Sequence, residues 1–303
     1  VWTTAIWSLG ADRCRAAIER FEHGAAPAEL AMVRAMFAVV QSRRGDYADA
    51  SVQLKKALEE NQGHADATTA AKVLGNVGSA LTDLARYGDA LDALEGARRL
   101  FNQLGSAGNE ALVRTGLARV HRLTGDLDQA SKEMVYAQAL ASRIDDPMLH
   151  IELDLEDAAI TLYRYRFEEA HALFGDLVGR ARPAGAGMPL ANALNGRGQA
   201  AMALGRLHDA RRDFEQAWRL GAETGQVCQQ CEARGNLGEL YRLMGLWRQA
   251  LVHQRERLAR LGRTGQNAVT IDARLDLALL YLDLGLDDQT NNTLAGVLAD
   301  LSA

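Results

Sequence analysis

Proline is almost absent. Four prolines in 303 residues leave long stretches in which nothing interrupts a helix. Aromatic residues make up only 6% while alanine abounds, the balance expected when helices pack closely on small side chains. Three cysteines in so long a chain do not make a disulfide framework. No stretch approaches the roughly 18 consecutive apolar residues of a membrane span, and no signal peptide is seen, although the chain opens Val1-Trp2-Thr3-Thr4 without a methionine. A cytoplasmic chain is therefore the expectation. The formal charge of -5 and a pI near 5.8 do not favour nucleic acid, which calls for a concentrated basic surface.

What is present is a period. Ala50, Ala90, Ala130, Ala170, Ala210 and Ala250, then Thr290, follow one another at intervals of forty, the mark of a repeat architecture. Other columns keep the phase. Five residues before each alanine stands Gly45, Ala85, Gly125, Tyr165, Gly205, Gly245 or Gly285, and three before it Tyr47, Tyr87, Leu127, Phe167, Leu207, Trp247 or Asp287. Twelve before it every residue is Gly or Ala: Ala38, Gly78, Ala118, Ala158, Gly198, Gly238 and Ala278. Four after it come Leu54, Leu94, Met134, Phe174, Phe214, Gln254 and Leu294, with Gln254 alone breaking the apolar run.

Apolar and small residues spaced by three, four and seven on both sides of a Gly-x-aromatic punctuation predict two amphipathic helices joined by a tight turn. The small column in the first helix lets the second approach closely, and the alanine of the second helix sits at the crossing. Overpacking such a site costs about 1 to 3 kcal/mol. The aromatic or leucine after the turn should fill the wedge between the pair and its neighbour. A second punctuation, fifteen residues after each alanine, is Ala65, Gly105, Asp145, Gly185, Gly225 or Gly265. The repeat thus reads helix, tight turn, helix, glycine loop, with helices of roughly 15 to 17 residues, about 25 Å long.

Leu237-Gly238-x-x-Tyr241 followed by Gly245-x-Trp247-x-x-Ala250, and Val77-Gly78-x-x-Leu81 with Tyr87, Ala90, Leu94 and Ala97, resemble the tetratricopeptide repeat. The usual opening tryptophan and closing proline are missing, and the period is forty rather than thirty-four. The longer helices, with Gly75-Asn76-Val77-Gly78 and Gly235-Asn236-Leu237-Gly238, are more similar to the Leu-Gly-Asn (Pins-like) and kinesin light chain branch and to tetratricopeptide segments of bacterial regulators. The resemblance implies an all-α, right-handed superhelical solenoid. It also implies an inner, concave face lined mainly by the first helix of each repeat, where extended peptides bind.

The unbroken phase favours one elongated solenoid, in which each repeat contacts only its neighbours, over two globular domains. Carried backwards, the phase puts Gly10 in the alanine column and Trp7 in the aromatic column, so residues 1–23 read as the tail of one helix plus a complete second helix. Seven full repeats follow, at about 24–65, 66–105, 106–145, 146–185, 186–225, 226–265 and 266–303. A cut first repeat and an uncovered last one read as a fragment of a longer protein, with a capping element or partner expected beyond Ala303.

Nothing in the sequence asks to be a catalytic centre. Cys228 and Cys231 form a C-x-x-C at a helix start, a setting that favours thiolates, yet two ordinary thiols at a repeat junction is the plainer reading. Cys14 lies far off, and no paired histidines complete a zinc site. The cluster Arg182-Pro183-Ala184-Gly185-Ala186-Gly187-Met188-Pro189 lacks the Lys-Ser or Lys-Thr of a phosphate loop and reads as a lengthened inter-repeat loop. His23, His64, His121, His150, His171, His208 and His253 are scattered without metal spacing, and the carboxylates at 152–157 and 287–288 read as solvated helix faces. No enzyme activity, metal or cofactor is expected.

The informative surface is the concave stripe. By phase it includes Lys72, Asn76, Ser79 and Thr82; Thr115, Arg119 and Arg122; Glu152, Leu155 and Glu156; Asn192, Asn195 and Gln199; and Glu232, Asn236, Glu239 and Arg242. Any exposed first-helix face must be polar, but asparagine has no propensity reason to recur there. Asn, Gln and Arg can bond peptide backbone and carboxylates, Arg bidentately. The family's dicarboxylate clamp needs a lysine and asparagine pair on successive turns; Gly75 with Ser79 and Thr115 with Arg119 stand there instead, so binding of acidic chaperone tails is not carried over. The leading expectation is a protein-interaction scaffold that takes a peptide or helical segment in this groove. Reversing charge at Arg119 and Arg122 is then expected to weaken an acidic partner. The alternative is the effector-sensing or autoregulatory arm of a bacterial signal-transduction ATPase or transcription regulator, docking other domains of its own chain. Self-association through uncapped ends is a third.

Overall fold

The computed structural model describes residues 2–22, 27–44, 46–61, 66–225, 227–261 and 268–302. These residues form fifteen α-helices and no strand: α1 (Trp2–Glu22), α2 (Pro27–Arg44), α3 (Tyr47–Asn61), α4 (Ala67–Asp83), α5 (Tyr87–Gln103), α6 (Ala107–Leu123), α7 (Leu127–Ala141), α8 (Pro147–Tyr163), α9 (Phe167–Ala181), α10 (Gly187–Ala203), α11 (Leu207–Thr224), α12 (Val227–Leu243), α13 (Trp247–Leu261), α14 (Ala268–Asp283) and α15 (Asp287–Ser302). From α2 onward they are antiparallel pairs stacked into a right-handed superhelix. The even-numbered helices lie inside and the odd-numbered ones outside.

The alanine column does what its size dictates. Ala50, Ala90, Ala130, Ala170, Ala210 and Ala250 are each 0% exposed, and each lies where the second helix crosses the first. Opposite them the small column is equally tight. A Cβ on Gly78 would stand 2.5 Å from Leu94 Cγ, one on Gly198 2.5 Å from Phe214 Cε1, and one on Gly238 2.8 Å from Gln254 Nε2. Gln254 keeps the place of an apolar residue, 3% exposed, by donating to the Gly235 carbonyl at 3.4 Å.

From α4 onward the turn within each pair is a Schellman ending: in α4, Arg86 N–H donates to Leu81 O and Ala85 N–H to Thr82 O, and the pattern recurs at residues 125–126, 165–166, 205–206, 245–246 and 285–286. The motif needs one left-handed residue, usually glycine. Ala85 at φ 57° and Tyr165 at φ 59° occupy that slot with side chains. A left-handed L-residue costs roughly 1–2 kcal/mol; Tyr165, 79% exposed, offsets part of this through the edge-on contact of its ring with Phe167, 5.9 Å between centroids. Replacing Ala85→Gly is therefore expected to raise stability by about 1 kcal/mol, less the entropy glycine loses on folding, and Tyr165→Gly by less, since it also removes the contact with Phe167. Urea denaturation checks this; a lowered midpoint for Ala85→Gly would contradict it.

Three expectations need correction. The break expected near residue 5 is absent, since α1 runs uninterrupted over Trp2–Glu22; no residue there resists a helix, and Ala5 is the best helix former of all. Trp247 does not fill a wedge: it is 38% exposed, whereas Tyr87 and Phe167 pack against the core. Nor does each repeat meet only its neighbours. α1 contacts α11 and α2 contacts α12, because small rotations between successive pairs add up until the superhelix meets itself. The Cys228 thiol, on α12, donates to the Ser42 carbonyl of α2 at 3.4 Å across this closure.

Candidate functional site

Closure turns the concave groove into a lumen. Side chains of α2, α4, α6, α8, α10, α12 and α14 point into it because the inner face of a helix recurs every three to four residues, and forty residues bring the same face back in each pair. The cavity measures about 560 Å³, within the usual range of roughly 300–1,000 Å³ for ligand sites. Arg43 comes from α2; Ser79, Thr82 and Asp83 from α4; Thr115, Arg119 and Arg122 from α6; Glu152, Leu155, Glu156 and Tyr163 from α8. Asn192, Gly196 and Gln199 from α10, Cys228, Gln229 and Glu232 from α12, and Asp272 from α14 complete the ring, with Tyr87 of α5 and Arg257 of α13 reaching in from outer helices.

The stripe read from the sequence divides in three. Ser79, Arg119, Arg122, Asn192 and Gln199 line this lumen. Lys72 and Asn76 belong to a second hollow of about 390 Å³, apolar in character, beside Met32, Met36, Leu112 and Val113. Asn236 accepts from Gln199 Nε2 at 3.4 Å, while Glu239 and Arg242 pair with each other, Arg242 also holding Asp283 at 2.7 Å. Asn195 needs correction: it is 1% exposed and lies in the helix packing, because one residue short of Gly196 turns a side chain about 100° away from the lumen. Both of its amide atoms lack a hydrogen-bond partner among the described residues.

The lumen's charges are partly spoken for. Arg122 holds Glu156 in a two-pronged pair at 2.5 and 3.3 Å, with its guanidinium 4.8 Å from the centre of the Tyr163 ring. Arg119 and Arg43 share Asp83, at 3.3 and 4.0 Å. Arg257 pairs with Asp276 at 2.5 Å. By contrast Glu152, Glu232 and Asp272 have no hydrogen bond or ion pair among the described residues. Burial raises the pKa of each above the usual carboxylate range, against the pull of Arg119 and Arg43 on Glu152, of Arg119, Arg122 and Arg257 on Glu232, and of Arg257 on Asp272. Glu232 and Asp272 are nevertheless exposed to the water of the lumen, and Glu152 is half-buried.

Sequence reasoning missed Arg43, Asp83, Tyr163, Gln229, Arg257 and Asp272. Asp272 was within reach, standing forty residues after Glu232 in the inward column. The C-x-x-C pair is divided between surroundings: Cys231 is buried at 1% exposure, and burial raises its thiol pKa despite nearby Arg257, Arg260 and Arg234. That opposes the thiolate a redox pair would need. Among the described residues no group of three or more His, Cys, Asp or Glu could hold a metal, and no helix is long and apolar enough to cross a membrane.

The chain matches no protein-family model, and no curated protein at a significant level. Solved structures do resemble it. NprR in complex with its cognate peptide NprX superposes with a TM-score of 0.68 at 12% identity, over 95% of this chain and 88% of that one. A Rap protein complexed with Competence and Sporulation Factor gives 0.67 at 13%, over 99% and 96%. A signal transduction ATPase with a tetratricopeptide repeat sensor from Pyrococcus horikoshii gives 0.52 at 14%, over 91% of this chain but 44% of that one. At such identities the likeness is one of fold, and that fold, with its forty-residue helical pairs, is the tetratricopeptide-type solenoid.

Proposed function

We propose that the chain is an interaction module that takes a short, extended peptide segment in the lumen of its superhelix. The observation that carries the reading is the lumen itself, to whose lining the first helices of the repeats contribute polar side chains. Closure favours a short segment over a long helix, because a partner cannot lay itself in from the side while α2 touches α12. Ser79, Asn192, Gln199 and Gln229 offer side-chain donors and acceptors suited to a peptide backbone. The adjoining hollow at Met32, Met36 and Leu112 offers an apolar berth for a neighbouring residue. That NprR was solved with its cognate peptide on the same fold supports the reading without supplying the ligand.

A second reading has its own support. The likeness to a signal transduction ATPase with a repeat sensor, of which this chain would cover less than half, suits a sensory arm whose lumen takes an effector or a segment of its own protein.

A filled lumen tests the proposal. Asn192→Trp is half-buried and lumen-facing in the parent, so the indole enters space that is open. Peptides selected from a random library on the parent chain are expected to lose at least about tenfold in affinity for this variant, with the helical circular dichroism unchanged. Equal affinity would place the binding surface elsewhere.

A further inference from the structure

The hollow beside the lumen is kept open by a glycine that helix packing does not require. Gly75 stands in the interior of α4 and lines the hollow. A Cβ there would come no nearer to a neighbouring helix than 3.7 Å, at Val113 Cγ2, an ordinary van der Waals distance. Gly78, three residues on, has no such freedom, since its Cβ would press on Leu94. The register does not impose glycine either: it carries Thr115, Leu155, Asn195 and Leu275 in other repeats, and at Gly235 the Arg257 side chain would crowd a Cβ at 3.0 Å. Glycine is, after proline, the least favourable residue of a helix interior. It is favoured where a backbone must let a ligand approach closely.

A side chain at 75 would occupy the hollow itself. The floor there is buried: Leu94 and Phe101 are each 3% exposed and Val113 6%. The walls are apolar yet open, with Met36 50% and Leu112 45% exposed and Met32 beside them. Of the polar lining, Lys72 and Asn109 are exposed, so the polar groups lie toward solvent and the apolar surface within. Met32 and Leu112 stand forty residues either side of Lys72, in the inward column that continues into the lumen as Glu152 and Asn192. Hollow and lumen thus lie along one ribbon of the concave face. We propose, resting on the lumen reading above, that the hollow is the specificity pocket of the lumen, taking one large apolar side chain of the bound peptide, and that Gly75 sets the size it admits. Methionine walls suit a leucine, isoleucine, methionine or phenylalanine, because an unbranched thioether adjusts to either aliphatic or aromatic shape. Burying a side chain of that class is worth about ten- to a hundredfold in affinity.

Stability and binding should part company at this position. Gly75→Ala adds one methyl and leaves most of the hollow open, whereas Gly75→Leu fills much of it. Both replace glycine by a better helix former, so neither should lower the melting temperature. A glycine kept for packing alone would behave oppositely, as at Gly78 and Gly198, where an added Cβ must displace Leu94 or Phe214.

The experiment is a random heptapeptide display selection on the parent chain, Gly75→Ala, Gly75→Leu and Asn192→Trp, with melting temperatures of all four. The parent is expected to enrich a large apolar residue at one position. Gly75→Ala should shift that position toward smaller side chains, and Gly75→Leu should lose the preference and bind the parent's peptides about tenfold or more weakly, while melting no lower than the parent. Peptides that fail on Asn192→Trp yet bind the parent and Gly75→Leu alike would overturn the apolar pocket and leave the peptide lumen standing. Peptides that fail on Gly75→Leu but not on Asn192→Trp would overturn the lumen reading and with it this proposal, as would a selection that yields no peptide. Lost binding together with a lowered melting temperature in Gly75→Leu is resolved by Gly75→Ala, whose selection must still shift to smaller residues while the chain stays folded; an unshifted selection there would overturn the proposal.

Discussion

Arg122→Ala is expected to cost about 3 to 5 kcal/mol of stability, the range for removing one partner of a buried ion pair. Its side chain is 11% exposed and that of Glu156 9%, and the pair joins α6 to α8 through two hydrogen bonds. Burial alone would weaken the arginine's charge, but Glu156 more than offsets this and raises its pKa above the ordinary value. Without Arg122 the Glu156 carboxylate is stranded, and Tyr163 loses the cation over its ring. Chemical denaturation at neutral pH measures the loss. Arg122→Met with Glu156→Leu removes both charges and should recover most of it, since apolar replacement of such pairs is often neutral. A single variant within about 1 kcal/mol of the parent would mean that lumen water screens the pair. Arg122 is accordingly a poor reporter of binding, and charge reversal is better confined to Arg119, which is 45% exposed.

The other large effect is in the core. Phe214, 0% exposed, presses its ring on the bare Cα of Gly198 and fills the space between α10 and α11. Phe214→Ala should cost about 3 to 5 kcal/mol. Gly198→Ala should cost about 1 to 3 kcal/mol, because a rigid ring 2.5 Å away must shift. Together the two changes should cost less than their sum, as the new methyl enters the space the ring has left. A double-mutant cycle by urea denaturation reads the coupling, expected between about 0.5 and 3 kcal/mol. Strict additivity would contradict the close approach of these helices.

The contact between Gly198 and Phe214 also shows what was legible beforehand. The two columns lie sixteen residues apart in every repeat, so the helix pair, its tight side and its small residues could all be read from the period. The inner face was legible through the helical phase, which placed Ser79, Arg119, Asn192, Gln199 and Glu232 on it. Asn195 was misread because one residue of helix is enough to turn a side chain from lumen to core. Closure was not legible: it depends on the small rotation between successive pairs, which no residue type encodes by itself. With it went the roles of Arg43 and Cys228, which face the lumen or the seam only because α2 comes round to α12. The pairing of Arg122 with Glu156, thirty-four residues away, likewise settles which arginines are free to act, and composition could not reveal it.

Photo-crosslinking tests the central account most directly. A photoreactive phenylalanine analogue is placed at Gln199, inside the lumen, and in a second protein at Arg212, whose side chain is 72% exposed on the outer helix α11. A peptide selected on the parent chain is added to each and irradiated. Crosslinking at 199 with none at 212, abolished by Asn192→Trp, is the predicted result. Crosslinking at 212 with none at 199 would contradict a ligand site within the superhelix.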